Sequence, residues 1–399
     1  MTASRLLDEI ATVGRDRVRG GFSRHFFDPA EDELRTWFVE RAHRLGLDVE
    51  TDRNGNIWAW WGTPGPDAVV TGSHLDSVPG GGAFDGPLGV VSALDAFEAL
   101  QSKGFVPGKP LAVVVFAEEE GGRFGVPCLG SRLLTGSFDA DKARALRDPD
   151  GVTLAEAAAR AGHEPERFGA DPEALSRIGR FIELHVEQGR GLIDLGSPVA
   201  VGSTVIAHGR WRFSFSGQGN HAGATLIGDR RDPMIPAAGL VAAARRAALD
   251  MGDARATVGR LIPTPGGTNV IASTVDLWLD ARVPGVDRTQ ALVAEIAEAA
   301  KEAALAEGCL VTMTEESYSD TVAFDTGLRD TLNRRLGGVP ELPTGAGHDA
   351  GILAAHVPAG MLYVRNPTGI SHAPEEFAEV SDVDHGARAL ADVLEHLST

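Results

Sequence analysis

The chain has 399 residues, of which 43% are hydrophobic and 23% are charged, and its formal net charge is −19. This length and composition predict a globular protein of about two domains with a large buried core. A surface this acidic repels phosphate groups, so we expect neither nucleic acid nor anionic membrane surfaces as partners. No apolar run is long enough to cross a bilayer, and the two cysteines, Cys128 and Cys309, form neither a metal-binding motif nor a disulfide framework. We therefore expect a cytoplasmic protein in a reducing compartment.

The first third of the chain alternates helical and strand-like segments. They are predicted as a helix at about 5–19, a helix at 29–45 after an Asp-Pro start, a hairpin of 49–51 with 57–61 around an Asn-Gly turn, a strand at 68–74, a helix at 89–100 and a strand at 111–116. The order strand, helix, strand predicts a largely parallel sheet with helices on both faces.

The strand at 68–74 ends in residues that suit a metal site. Its last residue is His74, and the next carboxylates in the chain are Asp76 and, in a glycine-rich loop, Asp85. Histidine and carboxylate side chains are ligands for zinc, manganese, cobalt and nickel ions. A hydrogen-bonded His–Asp pair at a strand end explains the same pattern about equally well.

Three consecutive glutamates, 118–120, follow the apolar strand at 111–116. Carboxylates at the end of a buried strand are costly unless a cation compensates their charge, although a solvated turn is the common alternative. Ligands in open α/β sheets gather at the carboxyl ends of strands, where His74 also lies. A later predicted strand contains His185, and a late turn contains His372. Taken alone, His185 is more typical of a core histidine, and His372 is as typical of a loop as of a ligand position.

The middle of the chain has a different character. Its predicted elements are strands at 209–216, 254–262, 270–283 and 309–318, with helices at 234–249 and 287–307. This β-α-β-β-α-β order is typical of a split βαβ sandwich, and an exposed edge strand would favour dimer formation. The predicted fold class is therefore α/β, with a mixed, largely parallel sheet flanked by helices and an inserted α+β two-layer sandwich. The predicted domains are 1–207 with 318–399, and the insert at 208–317.

Seven short motifs stand in a fixed order along the chain. They are Gly-Ser-His-Leu-Asp-Ser at 72–77, Gly-Gly-x-x-Asp-Gly at 81–86, Glu-Glu-Gly-x-Arg-Phe at 119–124, Leu-His-x-Glu-Gln-Gly at 184–189, Asn-His-Ala-Gly at 220–223, Gly-Ala-Gly-His-Asp-Ala at 345–350 and Ser-His-x-Pro-x-Glu at 371–376. Together they resemble the amidohydrolase branch of the aminoacylase/carboxypeptidase metallopeptidase clan. That branch includes N-carbamoyl-L-amino-acid hydrolases, allantoate amidohydrolases and β-ureidopropionases. The resemblance covers nearly the whole chain and implies a zinc-exopeptidase-like catalytic domain with an inserted dimerisation or lid domain.

The resemblance implies a centre with two divalent metal ions, which the ligand chemistry leaves open between zinc, manganese, cobalt and nickel. The implied ligands are His74 and His185 at one ion, Glu120 and His372 at the other, and Asp85 shared by both. Asp76 would orient His74, and Glu119 would be the general base that moves a proton from water to the leaving amine. Two such ions lower the pKa of a bridging water and polarise the scissile carbonyl. Peptidases of the clan usually have a carboxylate at the position of His185, so this residue favours an amidase.

The implied substrate contacts are Gln188, His221, Asn269 and Arg282. His221 would stabilise the oxyanion, and Arg282 would bind the substrate carboxylate through two hydrogen bonds. In the family, such residues often come from the partner subunit, which implies a homodimer through the inserted domain. The chain departs from the family pattern close to these positions, because residues 224–227 are Ala-Thr-Leu-Ile instead of Thr-Thr-Pro-Met and Val283 replaces a histidine after Arg282.

The expected function is hydrolysis of the ureido C–N bond of an N-carbamoyl-L-amino acid, which releases the amino acid, ammonia and carbon dioxide. The substrate would be a small ureido compound with a carboxylate, and allantoate is the nearest alternative. An N-acyl-amino-acid deacylase or dipeptidase is a further enzyme hypothesis. A small-molecule binding protein without catalysis is the non-enzyme hypothesis, and the complete set of implied ligands together with Glu119 argues against it.

Overall fold

The computed structural model of the chain describes residues 2–285 and 287–399. It contains two compact units, one formed by Met1–Val205 with Ala323–Thr399 and the other by Ile206–Val322. Position 1 of the predicted first domain lies outside the described residues. The predicted boundaries at 207/208 and 317/318 fall inside two strands, whereas the units of the structure divide outside these strands and keep them whole.

The α-helices are α1 Ala3–Ile10, α2 Pro29–Arg44, α3 Pro87–Ser102, α4 Leu129–Thr135, α5 Ala140–Ala145, α6 Leu154–Arg160, α7 Pro172–Ser176, α8 Gly191–Leu195, α9 Met234–Met251, α10 Arg288–Ala306, α11 Thr326–Arg335, α12 Asp349–Leu353 and α13 Val380–Leu397. Short 3₁₀ helices cover Pro165–Arg167 and Ile227–Asp229. Among the described residues, no helix combines the length and the apolar character that crossing a membrane requires.

The strands are β1 Asp48–Thr51, β2 Ile57–Trp61, β3 Val69–His74, β4 Leu111–Phe116, β5 Arg180–Val186, β6 Val199–Val205, β7 Ala207–Ser216, β8 Asn220–His221, β9 Arg255–Thr264, β10 Val270–Ile271, β11 Thr274–Val283, β12 Leu310–Ser319, β13 Val322–Ala323, β14 Glu341–Thr344 and β15 Ala359–Val364.

The large sheet has the order β1-β2-β4-β3-β5-β15-β6-β13, with β14 paired to β6. Its central strands β4, β3, β5 and β15 are parallel neighbours, whereas β1, β2 and β6 are joined to the sheet by antiparallel pairs. Every residue of β3 and β4 is buried, as expected for parallel strands covered on both faces. Helices α3 and α13 pack against each other and against this sheet. The predicted mixed, largely parallel α/β sheet flanked by helices is confirmed.

The first helix is shorter than predicted. α1 ends at Ile10, and Gly14 then adopts a φ of +71°, which favours glycine. The buried guanidinium of Arg24 donates hydrogen bonds to the carbonyls of Ile10 and Val13, both at 3.0 Å. These carbonyls belong to the last residue of the helix and to the turn that follows it, where carbonyls have no partner within a helix. The predicted extension to residue 19 was wrong because this cap is supplied by a residue outside the helical pattern.

The second unit is a two-layer sandwich. Its sheet has the order β12-β7-β11-β9 with every neighbouring pair antiparallel, and helices α9 and α10 pack on one face. β11 alternates buried and half-buried residues along its whole length, which places its apolar side chains against the helices. A short separate ribbon pairs β8 with β10. This is the predicted α+β sandwich.

Leu277 and Leu261 test this layer assignment as a matched pair, since they are opposite each other on β11 and β9. Leu277 is fully buried beneath the helices, whereas Leu261 on the edge strand is 36% exposed. We expect Leu277→Ala to lower the free energy of unfolding by about 2–5 kcal/mol, and Leu261→Ala by about 1 kcal/mol or less. Urea-induced unfolding of both variants measures the difference. Equal losses would contradict the placement of Leu277 in the covered layer.

Candidate metal centre

The carboxyl ends of four parallel strands bring the predicted ligands together. His74 is the last residue of β3 and His185 the next to last residue of β5. Glu119 and Glu120 follow β4, and His372 lies in the loop after β15. Because these strands are neighbours in the order β4-β3-β5-β15, side chains from distant parts of the chain meet at one edge of the sheet.

Asp85 lies between His74 and His185. Its Oδ1 atom is 3.5 Å from Nε2 of His74 and 3.2 Å from Nε2 of His185. The other ring nitrogen, Nδ1, faces the carbonyl of Asp76 at 3.1 Å in His74 and that of Val186 at 2.9 Å in His185. A carbonyl can only accept, so each Nδ1 is a donor and each Nε2 lone pair is left for another partner. Three buried groups, His74, Asp85 and His185, thus form one potential ligand set.

This first group fits a cation. Both Nε2 atoms are buried and have no hydrogen-bond partner. Two imidazole lone pairs aimed at one carboxylate oxygen repel it unless a proton or a metal ion lies between them. Burial on its own would lower the pKa of His74, but the carboxylates of Glu119, Asp76 and Asp85 outweigh burial and raise that pKa well above its usual value. The cluster therefore requires positive charge, and its donor set is that of a divalent metal site.

The second group uses the other oxygen of Asp85. Oδ2 of Asp85 is 3.4 Å from Nε2 of His372, and Oε2 of Glu120 is 3.3 Å from the same nitrogen. Asp85, Glu120 and His372 form a second potential ligand set. Burial raises the pKa of Glu120 well above its usual value, and the charge of Asp85 raises it further. One carboxylate thus faces two donor groups, one with each oxygen.

Asp76 supports both neighbouring strand ends. Its two carboxylate oxygens accept the backbone N–H groups of Glu119 at 3.1 Å and Glu120 at 3.0 Å. Its Oδ1 atom also lies 3.5 Å from Nδ1 of His74. A buried carboxylate with these partners fixes the glutamate turn and the ring of His74 at the same time.

The three glutamates after β4 point in different directions because Glu118 adopts a φ of +49°, in the left-handed region. Glu118 turns away from Asp85 and accepts the backbone N–H groups of Arg123 at 3.1 Å and Phe124 at 2.6 Å. This bend allows the next two carboxylates, Glu119 and Glu120, to face the histidines. Left-handed backbone is uncommon outside glycine and occurs often at functional sites.

Glu119 lies beside the ligand set of His74, Asp85 and His185 but is not part of it. Its Oε2 atom is 3.5 Å from Nε2 of His74, and its Oε1 atom accepts a hydrogen bond from the thiol of Cys128 at 3.1 Å. Burial raises the pKa of Glu119 to about 7, although His74 opposes the shift. A carboxyl group with a pKa near neutrality can both accept and return a proton, as a general base must.

Gln188 lies inside the same cluster. Its amide nitrogen donates to Oδ2 of Asp85 at 2.8 Å and is 3.3 Å from Nε2 of His372. The structure thus brings together the eight predicted residues of the first unit, which are His74, Asp76, Asp85, Glu119, Glu120, His185, Gln188 and His372.

The second unit carries the other three predicted site residues. The β8–β10 ribbon pairs His221 with Val270, and the carbonyl of the preceding Asn269 accepts the N–H of Ala222 at 3.0 Å. Nδ1 of His221 accepts the N–H groups of Gly223 at 3.0 Å and Ala224 at 3.2 Å. Because Nδ1 is an acceptor, the ring proton of neutral His221 lies on Nε2. The ribbon therefore presents an exposed imidazole N–H donor beside Asn269.

Arg282 lies apart from this ribbon, on β11. It shares the half-buried face of the strand with Asp280 and donates to that carboxylate from Nε at 2.6 Å and from an Nη at 2.9 Å. Asp280 also lies 3.8 Å from the guanidinium of Arg210 on β7. The guanidinium of Arg282 is thus oriented by its own strand.

Three buried polar residues behind the centre were not predicted as site residues. Glu183 accepts hydrogen bonds from Ser73 at 2.9 Å and from the N–H of Ala350 at 3.0 Å. The ring of His348 packs 4.6 Å from that of His185, and Asp349 accepts a hydrogen bond from Ser131. The strand alternation that puts Glu183 on the same face as His185 was a usable signal. The role of His348 and Asp349 depends on contacts with distant strands.

The sequence pattern of Peptidase family M20/M25/M40 matches residues 70–396. The chain is 36% identical over 391 residues to an N-carbamoyl-L-amino acid amidohydrolase of Geobacillus stearothermophilus, covering 96% of this chain and 95% of that protein. It is 32% identical over 401 residues to an allantoate amidohydrolase of Escherichia coli strain K12, covering 98% and 96%. The crystal structure of an amidase of the hydantoinase/carbamoylase family from Burkholderia vietnamiensis has a TM-score of 0.88 at 29% identity, covering 99% of this chain and 96% of that one.

These matches extend over nearly the whole chain and over both units, and both of these relatives are named amidohydrolases. The resemblance found in the seven motifs is therefore confirmed. The chain belongs to Peptidase family M20/M25/M40, in its branch of amidohydrolases, and is a hydrolase that acts on non-peptide C–N bonds.

Proposed function

We propose that the protein hydrolyses the carbamoyl C–N bond of an N-carbamoyl-L-amino acid and releases the amino acid, ammonia and carbon dioxide. The observation that supports the reaction type is one carboxylate, Asp85, that faces two histidine-containing groups with Glu119 beside them. The substrate is supported by the 36% identity to an N-carbamoyl-L-amino acid amidohydrolase over 95% of that protein. Allantoate is the second candidate, because relatives at 31% and 32% identity are allantoate amidohydrolases.

In this proposal the centre holds two divalent cations. One would be bound by His74, His185 and Asp85, and the other by Asp85, Glu120 and His372. When bound, such ions supply polarisation of the carbonyl and a water acidic enough to lose a proton near neutral pH. The chain's own contribution is to orient these ligands, which Asp76 does for His74 and for the turn at 119–120.

Glu119 is the proposed base. Its carboxylate takes the proton of the attacking water and gives it to the nitrogen of the amino acid as the C–N bond breaks. Carbamate is the other product of this cleavage, and it then decomposes to ammonia and carbon dioxide. The thiol of Cys128 holds one oxygen of Glu119, which leaves the other oxygen on the side of His74. Because Glu119 is buried, its pKa near 7 suits both halves of this proton transfer.

Four residues are the proposed substrate contacts. Gln188, already hydrogen-bonded to Asp85, would border the reacting group. His221 would donate a hydrogen bond from its Nε2–H group to the carbonyl oxygen as negative charge develops there, and Asn269 beside it would add a polar contact. Arg282, oriented by Asp280, would bind the carboxylate of the substrate. The homodimer through the inserted domain and the cytoplasmic location stay predictions.

Glu119→Gln tests the base. The amide keeps the size of the side chain but cannot accept a proton, so we expect kcat to fall by about 10²–10⁴-fold. Metal content, measured by elemental analysis of the purified protein, should equal that of the wild type. Glu118→Gln is the matched control because Glu118 is the adjacent carboxylate and points away from Asp85. Wild-type kcat in Glu119→Gln would remove Glu119 from the role of base.

Arg282→Ala tests the carboxylate contact. Loss of a charge-assisted hydrogen bond should raise KM for carboxylate substrates by about 10–100-fold while kcat changes little. Arg210→Ala is the control, since Arg210 is opposite Asp280 on the neighbouring strand and is more exposed. An unchanged KM in Arg282→Ala, or an equal rise in both variants, would place the carboxylate elsewhere.

A substrate panel tests the proposed function directly. Protein treated with a chelator should be inactive, and zinc, manganese, cobalt or nickel added back singly should restore activity. With the best metal, we expect the highest kcat/KM for an N-carbamoyl-L-amino acid, compared with allantoate, N-acetyl-L-amino acids and dipeptides, from released amine and ammonia. A preference for allantoate would support the second candidate. A preference for acetyl or peptide substrates would overturn the ureido assignment.

A further inference from the structure

Glu376 is a buried carboxylate that the proposed reaction does not use. Only 4% of its surface is exposed. Its Oε1 atom accepts the backbone N–H groups of Phe84 and Asp85, both at 3.0 Å. These two N–H groups belong to the loop that carries the Asp85 carboxylate. Glu376 therefore fixes the backbone from which Asp85 projects, although it lies near the opposite end of the chain.

Ser371 links the side chain of Asp85 to the side chain of Glu376. Its hydroxyl oxygen is 3.1 Å from Oδ2 of Asp85 and 2.9 Å from Oε2 of Glu376. Ser371 directly precedes His372, whose backbone has a φ of +56°. Histidine rarely adopts this left-handed conformation, so surrounding contacts are needed to hold it. The same hydroxyl and carboxylate thus join the loop of Asp85 to the loop of His372.

Gly82 leaves the space that this carboxylate occupies. A Cβ atom at position 82 would lie 2.2 Å from Oε1 and 2.5 Å from Cβ of Glu376. No side chain fits at that distance, and the nearest atoms belong to a buried group that cannot move without breaking its hydrogen bonds. The glycine in the motif at 81–86 and the glutamate in the motif at 371–376 therefore form one structural unit with Ser371.

We propose that Ser371 and Glu376 are positioning residues that hold Asp85 between the two donor groups and so set the affinity for both metal ions together. This inference rests on the proposed metal centre. Glu376 aims the backbone of Asp85, and Ser371 holds the Oδ2 atom that faces Glu120 and His372. Because Asp85 is common to both groups, its displacement lowers the metal affinity of both sites. Loss of a ligand that belongs to only one group should mainly lower the affinity of that site.

The experiment measures binding of Zn²⁺ alone to metal-free protein by calorimetric titration. Glu376→Ala should weaken both ions by about 10–100-fold, and Ser371→Ala by about 10-fold, as expected for residues that orient metal ligands. Gly82→Ala should reproduce the loss seen in Glu376→Ala. Glu376→Gln keeps an oxygen for the two N–H groups and gives Ser371 an amide N–H, so it should bind both ions within a few-fold of the wild type.

Controls separate positioning from general damage. Glu375→Ala removes the adjacent, exposed carboxylate and should bind both ions as the wild type does. Circular dichroism and thermal unfolding of the metal-free variants identify any that fail to fold, and Ser371→Ala is the mildest change. In protein loaded with Mn²⁺, the exchange-coupled electron paramagnetic resonance signal of an ion pair should weaken in Ser371→Ala and be retained in Glu376→Gln.

The outcomes distinguish this inference from the proposed function. If folded Glu376→Ala and Ser371→Ala bind both ions with wild-type affinity, the positioning role is wrong and the proposed hydrolysis is untouched. If only one ion is weakened, Asp85 is not the group through which these residues act. If the wild type itself does not bind two ions, the proposed metal centre is wrong, and so is the positioning role.

Discussion

The structure of the first unit is built around the charge of a single buried carboxylate, Asp85. Its two oxygens face different imidazoles, and the carboxylates of Glu119 and Glu120 lie close by. Negative groups at this density are unstable in a buried site unless positive charge lies among them. The His185 imidazole, together with His372 and His74, outweighs burial and keeps the pKa of Asp85 well below its usual value. Asp85 therefore remains charged because imidazoles surround it, whereas burial raises the pKa of Glu119 and Glu120. Bound cations would balance this excess of carboxylates.

The backbone provides the geometry that this charge requires. Four parallel strands end at the same edge of the sheet, and sharp local conformations then turn the side chains inward. Gly86 directly precedes α3 and has a φ of +85°, and a Cβ at this position would lie 2.4 Å from ring atoms of His74. Glu118 makes the corresponding turn after β4 with its own side chain directed away. The close approach at position 86 and the bend at position 118 are both prerequisites for the packing of the cluster.

Much of this arrangement could be predicted from the sequence, because the carboxyl ends of neighbouring parallel strands lie at the same edge of a sheet. His74, Glu119 and His185 each lie at or just after such an end, and the order of the motifs resembled a known family. The contacts that hold the cluster could not be predicted in the same way. Ser371 and Asp85 are separated by 286 positions, and Glu376 reaches the N–H of Asp85 across 291. No periodicity or spacing encodes such contacts, since they depend on how two loops meet after the sheet has formed.

The same reasoning explains why the first helix was predicted too long, since Arg24, from a different segment, binds the carbonyls of Ile10 at the helix end and of Val13 in the following turn. In the second unit, local pattern was sufficient for the sandwich, because alternation along β11 is set by burial on one face. The orientation of the His221 ring was beyond prediction. It depends on two backbone N–H groups in the turn that follows the residue.

The buried polar residues behind the metal centre position the proposed ligands and are not ligands themselves. Glu183, His185 and His348 lie close enough together to resemble a third ligand group. Both oxygens of Glu183, however, already accept hydrogen bonds, one from Ser73 and one from the N–H of Ala350. Burial, with the adjacent His185, lowers the pKa of His348 well below its usual range, so this ring is neutral and packs edge-on against His185. A carboxylate whose two oxygens are hydrogen-bonded in this way fixes its neighbours, whereas the buried Nε2 atoms of His74 and His185 have no hydrogen-bond partner. Ligand capacity in this unit is therefore concentrated around Asp85, and the second layer serves to hold it there.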